Sequence, residues 1–257
     1  MSWRYLAASE IGSSHGAQAL PCQDASLVAR LGDDSLLLVA SDGAGSAKYS
    51  DEASRIACAT VQEELQRFLD DGGSLDRLTI EQVDRWIEAV VSRLHLQATV
   101  RDVRVRELAC TLLVAIVSPR ASHFVQIGDG AIVVNRGDGF IPATWPANGE
   151  YANTTFFITD DRALEHLRLQ LNEPPVIDVA VFTDGLQMLA LSFADRRAHT
   201  PFFSSFFAHL GAEPPGESLR LQQRLIEYLG SPAINSRTDD DKSLILASWR
   251  VDAAKSE

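Results

Sequence analysis

The chain has 257 residues, of which 46% are hydrophobic and 23% charged, the balance of a globular protein that folds around its own core. Its formal net charge of −12 argues against nucleic acid or an anionic membrane as a partner, because both would repel it. No apolar run is long enough to cross a bilayer, the N-terminus lacks a secretory signal, and the three cysteines form no CxxC pair. We therefore expect a cytoplasmic protein with reduced thiols.

The first half of the sequence predicts short strands followed by two long helices. The strands are expected at 3–8, 26–31 and 35–41. The first helix is predicted between residues 50 and 70, and a loop rich in glycine at 71–74 separates it from the second. In the second helix, apolar side chains recur every three or four positions, at Ile80, Val83, Ile87, Val90 and Leu94.

The second half returns to strands and ends with two more helices. Strands are predicted at 110–117, 123–127, 131–135, 176–183 and 243–249. Helices are predicted at 202–210 and 219–229, and the stretch 137–153, rich in Gly, Pro and Asn, is expected to be irregular. Since no repeat or linker marks a boundary, we expect one α+β domain over residues 1–257, with helices packed outside the sheets.

Aspartates at strand ends are the most informative feature of the sequence. Four lie beside small or polar residues, and a fifth group immediately precedes the last strand: Asp24, Asp42, Asp129, Asp184 and 239–241. Any single Asp-Gly pair is explained by the local preference of both residues for tight turns. Five strand-end carboxylates from across one chain, however, are placed to meet at one end of a folded sheet.

Convergent carboxylates need a counter-charge. Oxygen ligands without a Cys or His cluster favour magnesium or manganese over zinc or iron. Two such ions ~4 Å apart would activate a water and clamp the oxygens of a phosphate. Residues 43–46, Gly-Ala-Gly-Ser, allow backbone atoms to approach ions and substrate closely. The sequence therefore predicts hydrolysis of a phosphate ester without a protein nucleophile.

The motifs, taken in order, resemble those of the type 2C metal-dependent protein phosphatases, the PPM family. They are QDA, SDGAGS, ACTLLVAIV followed by IGDG, VAVFTDGLQMLA and DDDKSLILASW. The resemblance extends from Gly12 to Trp249 and is greatest to the compact, stand-alone bacterial members. It implies a four-layer α-β-β-α sandwich of two antiparallel sheets flanked by helix pairs. It also implies hydrolysis of phosphoserine and phosphothreonine on proteins at a binuclear Mn²⁺ or Mg²⁺ centre.

The resemblance implies a role for each residue of the site. The metal-holding positions are Asp24, Asp42, Gly43, Asp129, Asp184 and Asp240. Asp42 resembles the aspartate that bridges both metals and the nucleophilic water, and Gly43 resembles the residue whose carbonyl holds one ion. Asp129 is similar to a ligand of a third, weaker metal. The other aspartates resemble direct or water-mediated ligands.

Two neighbouring aspartates compete for the last of these positions. Asp240 is preferred because Ser243 follows it three residues later, as the family's Asp-Asn-x-Thr/Ser pattern requires. Asp241 then occupies the position of the usual asparagine and stays an alternative ligand, since the two side chains have the same chemistry.

Two positions depart from the family pattern. An arginine that grips the substrate phosphate is common five residues before the first aspartate, where this chain has Ala19. A histidine that acts as a general acid follows the Asp-Gly in some members, where this chain has Ala44. The arginine matters more, because bidentate contacts position phosphate well. His15, Arg237 or backbone amides near Gly45 are candidates to replace it.

The expected partners are phosphorylated proteins, and the resemblance implies that the enzyme is a monomer that opposes a serine/threonine kinase. The missing arginine motivates one alternative, a pseudophosphatase that binds phosphoproteins without turnover. Retention of the aspartates favours an active enzyme, because clustered carboxylates without a metal are costly to keep. A phosphatase dedicated to one partner is a third interpretation, which no sequence feature favours.

Overall fold

A computed structural model describes residues 1–32, 34–147 and 155–252. The strands are β1 (Ser2–Glu10), β2 (Ala25–Leu31), β3 (Ser35–Ser41), β4 (Leu112–Val117), β5 (Ser122–Ile127), β6 (Ala131–Asn135), β7 (Phe140–Thr144), β8 (Arg168–Glu173), β9 (Asp178–Phe182), β10 (Leu191–Ser192), β11 (Arg197–Ala198), β12 (Gly216–Glu217) and β13 (Lys242–Arg250). The helices are α1 (Ser13–Ala17), α2 (Ser50–Asp70), α3 (Ile80–Arg101), α4 (Gln187–Ala190), α5 (Thr200–Gly211), α6 (Leu219–Leu229) and α7 (Pro232–Asn235).

Two large sheets form the centre of the fold. The first has the strand order β12-β1-β13-β9-β6-β7 and the second the order β2-β3-β4-β5-β8. Neighbouring strands run antiparallel in both, except that the two-residue β12 runs parallel to β1. A small hairpin of β10 and β11 stands apart from them.

The central strands are apolar on both faces, and the packing explains why. In β3, Leu36 and Leu38 point between the two sheets, whereas Leu37 and Val39 point toward a helix layer. Successive side chains of a strand point to opposite faces. A strand covered on both faces therefore reads as an unbroken apolar run, which is the pattern of 35–41 and 112–117.

Helices cover the outer face of each sheet. Helices α2 and α3 pack on the second sheet, where Leu65 and Leu94 share one apolar cluster with Val114. Helices α5 and α6 pack on the first sheet, where Phe203 and Leu225 share another with neighbouring strands. The predicted four-layer α-β-β-α sandwich is therefore confirmed.

Among the strands longer than two residues, β7 and β8 differ from the sequence-based expectations. The stretch 137–153 was expected to be irregular, but β7 lies within it; residues 148–153 of that stretch lie outside the described residues. Strand β8 was not predicted at all. Both are edge strands with one neighbour, so they tolerate Pro142 and exposed polar side chains that a central strand would exclude.

Candidate metal centre

The pairing of strands places the predicted aspartates at one end of the sandwich. Strand β2 begins where β3 ends, because Ala25 pairs with Ser41. Strands β6 and β13 both begin where β9 ends, because Ala131 and Leu244 each pair with Phe182. The residues just beyond these pairs are Asp24, Asp42, Asp129, Asp184, Asp240 and Asp241.

Three of these carboxylates form a tight cluster. Ligand oxygens of Asp42, Asp129 and Asp184 all lie within 4.8 Å of one another. Within the described residues, buried Oδ1 atoms of Asp129 and Asp184 have no hydrogen-bond partner. Unpaired buried oxygens from several carboxylates are the donor set of a hard divalent cation, so the residues fit the ions that the sequence predicts.

The electrostatics of the cluster also fit a cation. Burial raises the pKa of Asp42 well above its ordinary value, and the neighbouring charge of Asp184 raises it further. Burial likewise raises the pKa of Asp184, with the charges of Asp129 and Asp240 adding to the effect. A positive charge nearby would oppose these effects and allow the carboxylates to ionise together.

Asp24 lies deeper and is held by a hydroxyl that sequence reasoning did not single out. It is 6% exposed, and the hydroxyl of Thr183 donates a hydrogen bond of 2.7 Å to its Oδ2. The same hydroxyl accepts the amide of Ser243 at 2.9 Å. Asp24 Oδ1 has no partner among the described residues, and burial raises the pKa of this carboxyl to about 7. The only signal in the sequence was a threonine directly before an Asp-Gly pair.

The carboxylate of Asp241 has hydrogen-bond partners from two distant segments of the protein. Its side chain is 2% exposed and accepts the amides of Gly12 and Gln23, each at 2.6 Å. His15 Nδ1 is 2.9 Å from the same carboxylate. A carboxylate with three such partners ties the start of α1 and the segment before Asp24 to the start of β13.

Asp240 acts on the cluster through its charge. Its Oδ1 accepts the amide of Asp241 at 2.9 Å, and its charge raises the pKa of both Asp42 and Asp184. The fully buried Lys242 holds this segment, since its ammonium donates to the carbonyl of Asp240 at 3.1 Å. Of the two candidates left open by the sequence, the geometry favours Asp240.

The loop after β3 is fixed in two ways. The amide of Asp42 donates to Thr111 Oγ1 at 2.9 Å, and the amide of Thr111 donates to the carbonyl of Asp42 at 2.8 Å. A methyl group on Gly43 would lie 2.6 Å from the carbonyl oxygen of Ser50 and 2.7 Å from that of Gln23. Glycine is therefore the residue that fits here, and its carbonyl as a metal ligand stays a prediction.

The candidates to replace the phosphate-binding arginine differ in position. Ala19 is exposed, beyond the end of α1. Arg237 is exposed, and its charge acts on Tyr228 of α6. His15 is buried, and its Nε2 would lie 3.8 Å from a methyl group placed on Gly45. Of the two side chains that the sequence suggested, His15 faces the loop that follows Asp42.

Comparisons with known proteins agree on one group. The family described as protein phosphatase 2C matches residues 11–230. A curated relative, serine/threonine-protein phosphatase 3 of Escherichia coli (strain K12), is 40% identical over 253 residues, covering 97% of this chain and 99% of its own. The solved serine/threonine phosphatase Stp1 from Staphylococcus aureus has a TM-score of 0.63 at 16% identity, covering 97% of this chain and 95% of its own. PppA from Pseudomonas aeruginosa has a TM-score of 0.65 at 17% identity, covering 96% and 98%.

Proposed function

The chain belongs to the protein phosphatase 2C family, and from this we infer that it is a protein serine/threonine phosphatase, a hydrolase that removes phosphate from serine and threonine of other proteins. One observation supports placing this activity at the metal centre: ligand oxygens of Asp42, Asp129 and Asp184 lie within 4.8 Å of one another at the end of the sandwich. A pseudophosphatase would have no need to keep such a costly cluster.

We propose that the metal-holding residues are Asp24, Asp42, Gly43, Asp129, Asp184 and Asp240, around two Mn²⁺ or Mg²⁺ ions with a third, weaker site at Asp129. The unpaired carboxylate oxygens and the raised pKa values of Asp24, Asp42 and Asp184 support this set. When bound, the ions supply positive charge that activates a water and neutralises the phosphate. The hydrogen bonds of Thr183 orient Asp24, and the rigid strand ends keep the carboxylates in place.

The remaining proposals concern the setting of the enzyme. We propose a single catalytic domain over residues 1–257, acting as a cytoplasmic monomer on phosphoproteins made by a serine/threonine kinase. Among the described residues, no helix combines the length and apolar character that crossing a bilayer demands. The net charge of −12 supports protein rather than nucleic acid as the substrate.

A phosphopeptide assay with and without Mn²⁺ tests the proposed function. Wild-type protein is expected to release phosphate from a phosphothreonine peptide only when the metal is present. Asp42→Ala is expected to lower turnover by at least about 100-fold, because it removes a proposed metal ligand. Loss of a residue that only orients a ligand has a smaller effect. Asp34→Ala, at an exposed position, serves as the matched control. A wild-type protein that binds the peptide but leaves it and p-nitrophenyl phosphate intact would overturn the proposal.

A further inference from the structure

Helix α1 holds His15 rigidly against the start of the last strand. The amide and hydroxyl of Ser14 both donate to the carbonyl of Asp239, at 3.0 and 2.7 Å. The amide of Gly12 donates to Asp241, and a methyl group on Gly12 would lie 2.3 Å from the Asp239 carbonyl oxygen. The helix is therefore packed directly on the segment that leads into the metal centre, and His15 is 8% exposed within it.

Asp241 decides how the imidazole of His15 is oriented. Its carboxylate already accepts two main-chain amides, and His15 Nδ1 lies 2.9 Å from its Oδ2. A carboxylate only accepts hydrogen bonds, so Nδ1 is the nitrogen that donates. Nε2 is thus directed away from Asp241, and it carries a proton when the ring is an imidazolium. Among the described residues, the hydrogen bond of this ring is the one through Nδ1.

Nε2 lies close to the loop that follows Asp42. A methyl group on Gly45 would lie 3.8 Å from Nε2 and 4.0 Å from Oε1 of Gln23. Gln23 is 6% exposed, and its buried Oε1 has no partner within the part of the chain that is described. Gly45 itself is exposed to solvent. That methyl position is in ordinary van der Waals contact with both atoms, so an atom of similar size fits between Oε1 of Gln23, an acceptor, and Nε2 of His15, a donor when the ring is an imidazolium.

These two groups match the needs of a leaving hydroxyl. An oxygen that departs from phosphorus must gain a proton, and the hydroxyl that results needs an acceptor for its hydrogen. The imidazolium form of His15 supplies the first, and the amide oxygen of Gln23 supplies the second. His15 also bears on the metal centre: burial raises the pKa of Asp240, and the charge of His15 opposes that rise.

We propose that His15 is a catalytic residue that donates its Nε2 proton to the serine or threonine oxygen leaving phosphorus, and that Asp241 is its positioning residue. The inference rests on the proposed function. The oxygen of a water forms a bond to phosphorus while the bond to the substrate oxygen breaks, and that oxygen keeps the electron pair and takes the Nε2 proton. The water releases a proton to solvent, and the imidazole regains one from solvent. Gln23 then accepts the hydrogen bond of the free hydroxyl.

The test compares two substrates that differ in their need for a proton. The leaving oxygen of a phosphothreonine peptide is strongly basic, whereas nitrophenolate leaves readily without protonation. At saturating Mn²⁺, His15→Gln is expected to lower kcat on the peptide by about 100-fold or more and to leave kcat on p-nitrophenyl phosphate within about 3-fold of wild type. His209→Gln, on the exposed surface of α5, is the matched control and is expected to change neither.

Each result separates this inference from the proposed function. Equal losses on both substrates, or no loss on either, would overturn the role of His15 while leaving the phosphatase assignment intact. A wild-type protein inert toward both substrates would overturn both. If His15→Gln does not fold, Gln23→Met decides. It removes the unpaired acceptor together with the nitrogen of the same amide. A loss confined to the peptide supports the inference, and an equal or absent loss overturns it.

Discussion

Asp24→Asn is expected to stabilise the metal-free protein at neutral pH. Burial raises the pKa of Asp24 to about 7, whereas an aspartate in an unfolded chain titrates near ~3.9. A carboxyl whose pKa is higher in the folded protein than in the unfolded chain stabilises the fold. The contribution is fully present at pH values below the unfolded-state pKa, and it is lost as the pH rises through the folded-state pKa. The metal-free wild type is therefore expected to lose stability between about pH 4 and pH 7, and the asparagine variant is spared that loss.

The magnitude follows from the two pKa values. Their difference of about 3 corresponds to about 4 kcal/mol of unfolding free energy. In a chain of this length 1 kcal/mol shifts the melting temperature by roughly 2–4 °C. The variant is thus expected to melt on the order of 10 °C above wild type at pH 8 and close to it at pH 4. On the proposed ligand set, Mn²⁺ should reverse the order at pH 8, because only the wild-type side chain is a carboxylate that can hold the ion.

Thermal melts in chelator from pH 4 to pH 8, repeated with Mn²⁺, provide the measurement. Asp34→Asn, at an exposed position, is the control and is expected to follow wild type throughout. The reasoning fails if Asp24→Asn melts at or below wild type at pH 8 in chelator, since the buried carboxylate would then carry no penalty. It also fails if Mn²⁺ stabilises both proteins equally.

Three further outcomes are expected. Gly43→Ala should abolish turnover and lower the melting temperature, because its methyl group would lie 2.6 Å from a carbonyl oxygen, whereas Gly16→Ala, with nothing within 4 Å, should do neither. Thr183→Val should weaken Mn²⁺ binding by about 10-fold or more in calorimetry, since it removes the donor that orients Asp24; unchanged affinity would contradict this. Asp178→Ala, at the opposite end of β9, should lower the free energy of unfolding by about 3–5 kcal/mol in chemical denaturation, because it breaks a buried hydrogen-bond network. A large change in kcat of the folded variant would contradict a purely structural role for Asp178.

Local sequence patterns determined most of the architecture. The bounds predicted for 35–41, 50–70, 131–135 and 219–229 match the strands and helices observed. These segments bury a whole face or both faces, so the spacing of their apolar residues indicates both the type of element and its buried faces. Strand β8 shows no such apolar spacing in the sequence, because an edge strand pairs on one side only and carries polar residues.

The candidate site divides in the same way. The sequence alone showed that aspartates follow or precede buried strands. In the structure, ligand oxygens of Asp42, Asp129 and Asp184 lie within 4.8 Å of one another, which is consistent with that pattern. It could not separate Asp240 from Asp241, because adjacent identical side chains have the same local chemistry. That choice depends on which carboxylate meets the amides of Gly12 and Gln23, more than 200 positions earlier.

The environment of His15 also lies beyond any local pattern. A helix of five residues has no periodicity to read, and the partner of the imidazole comes from the other end of the chain. The sequence by itself determined which strands are buried and that acidic residues stand at their ends, because burial and turn preference act over a few residues. Only the tertiary structure decided which carboxylate holds a histidine, because that contact joins segments that are distant along the chain.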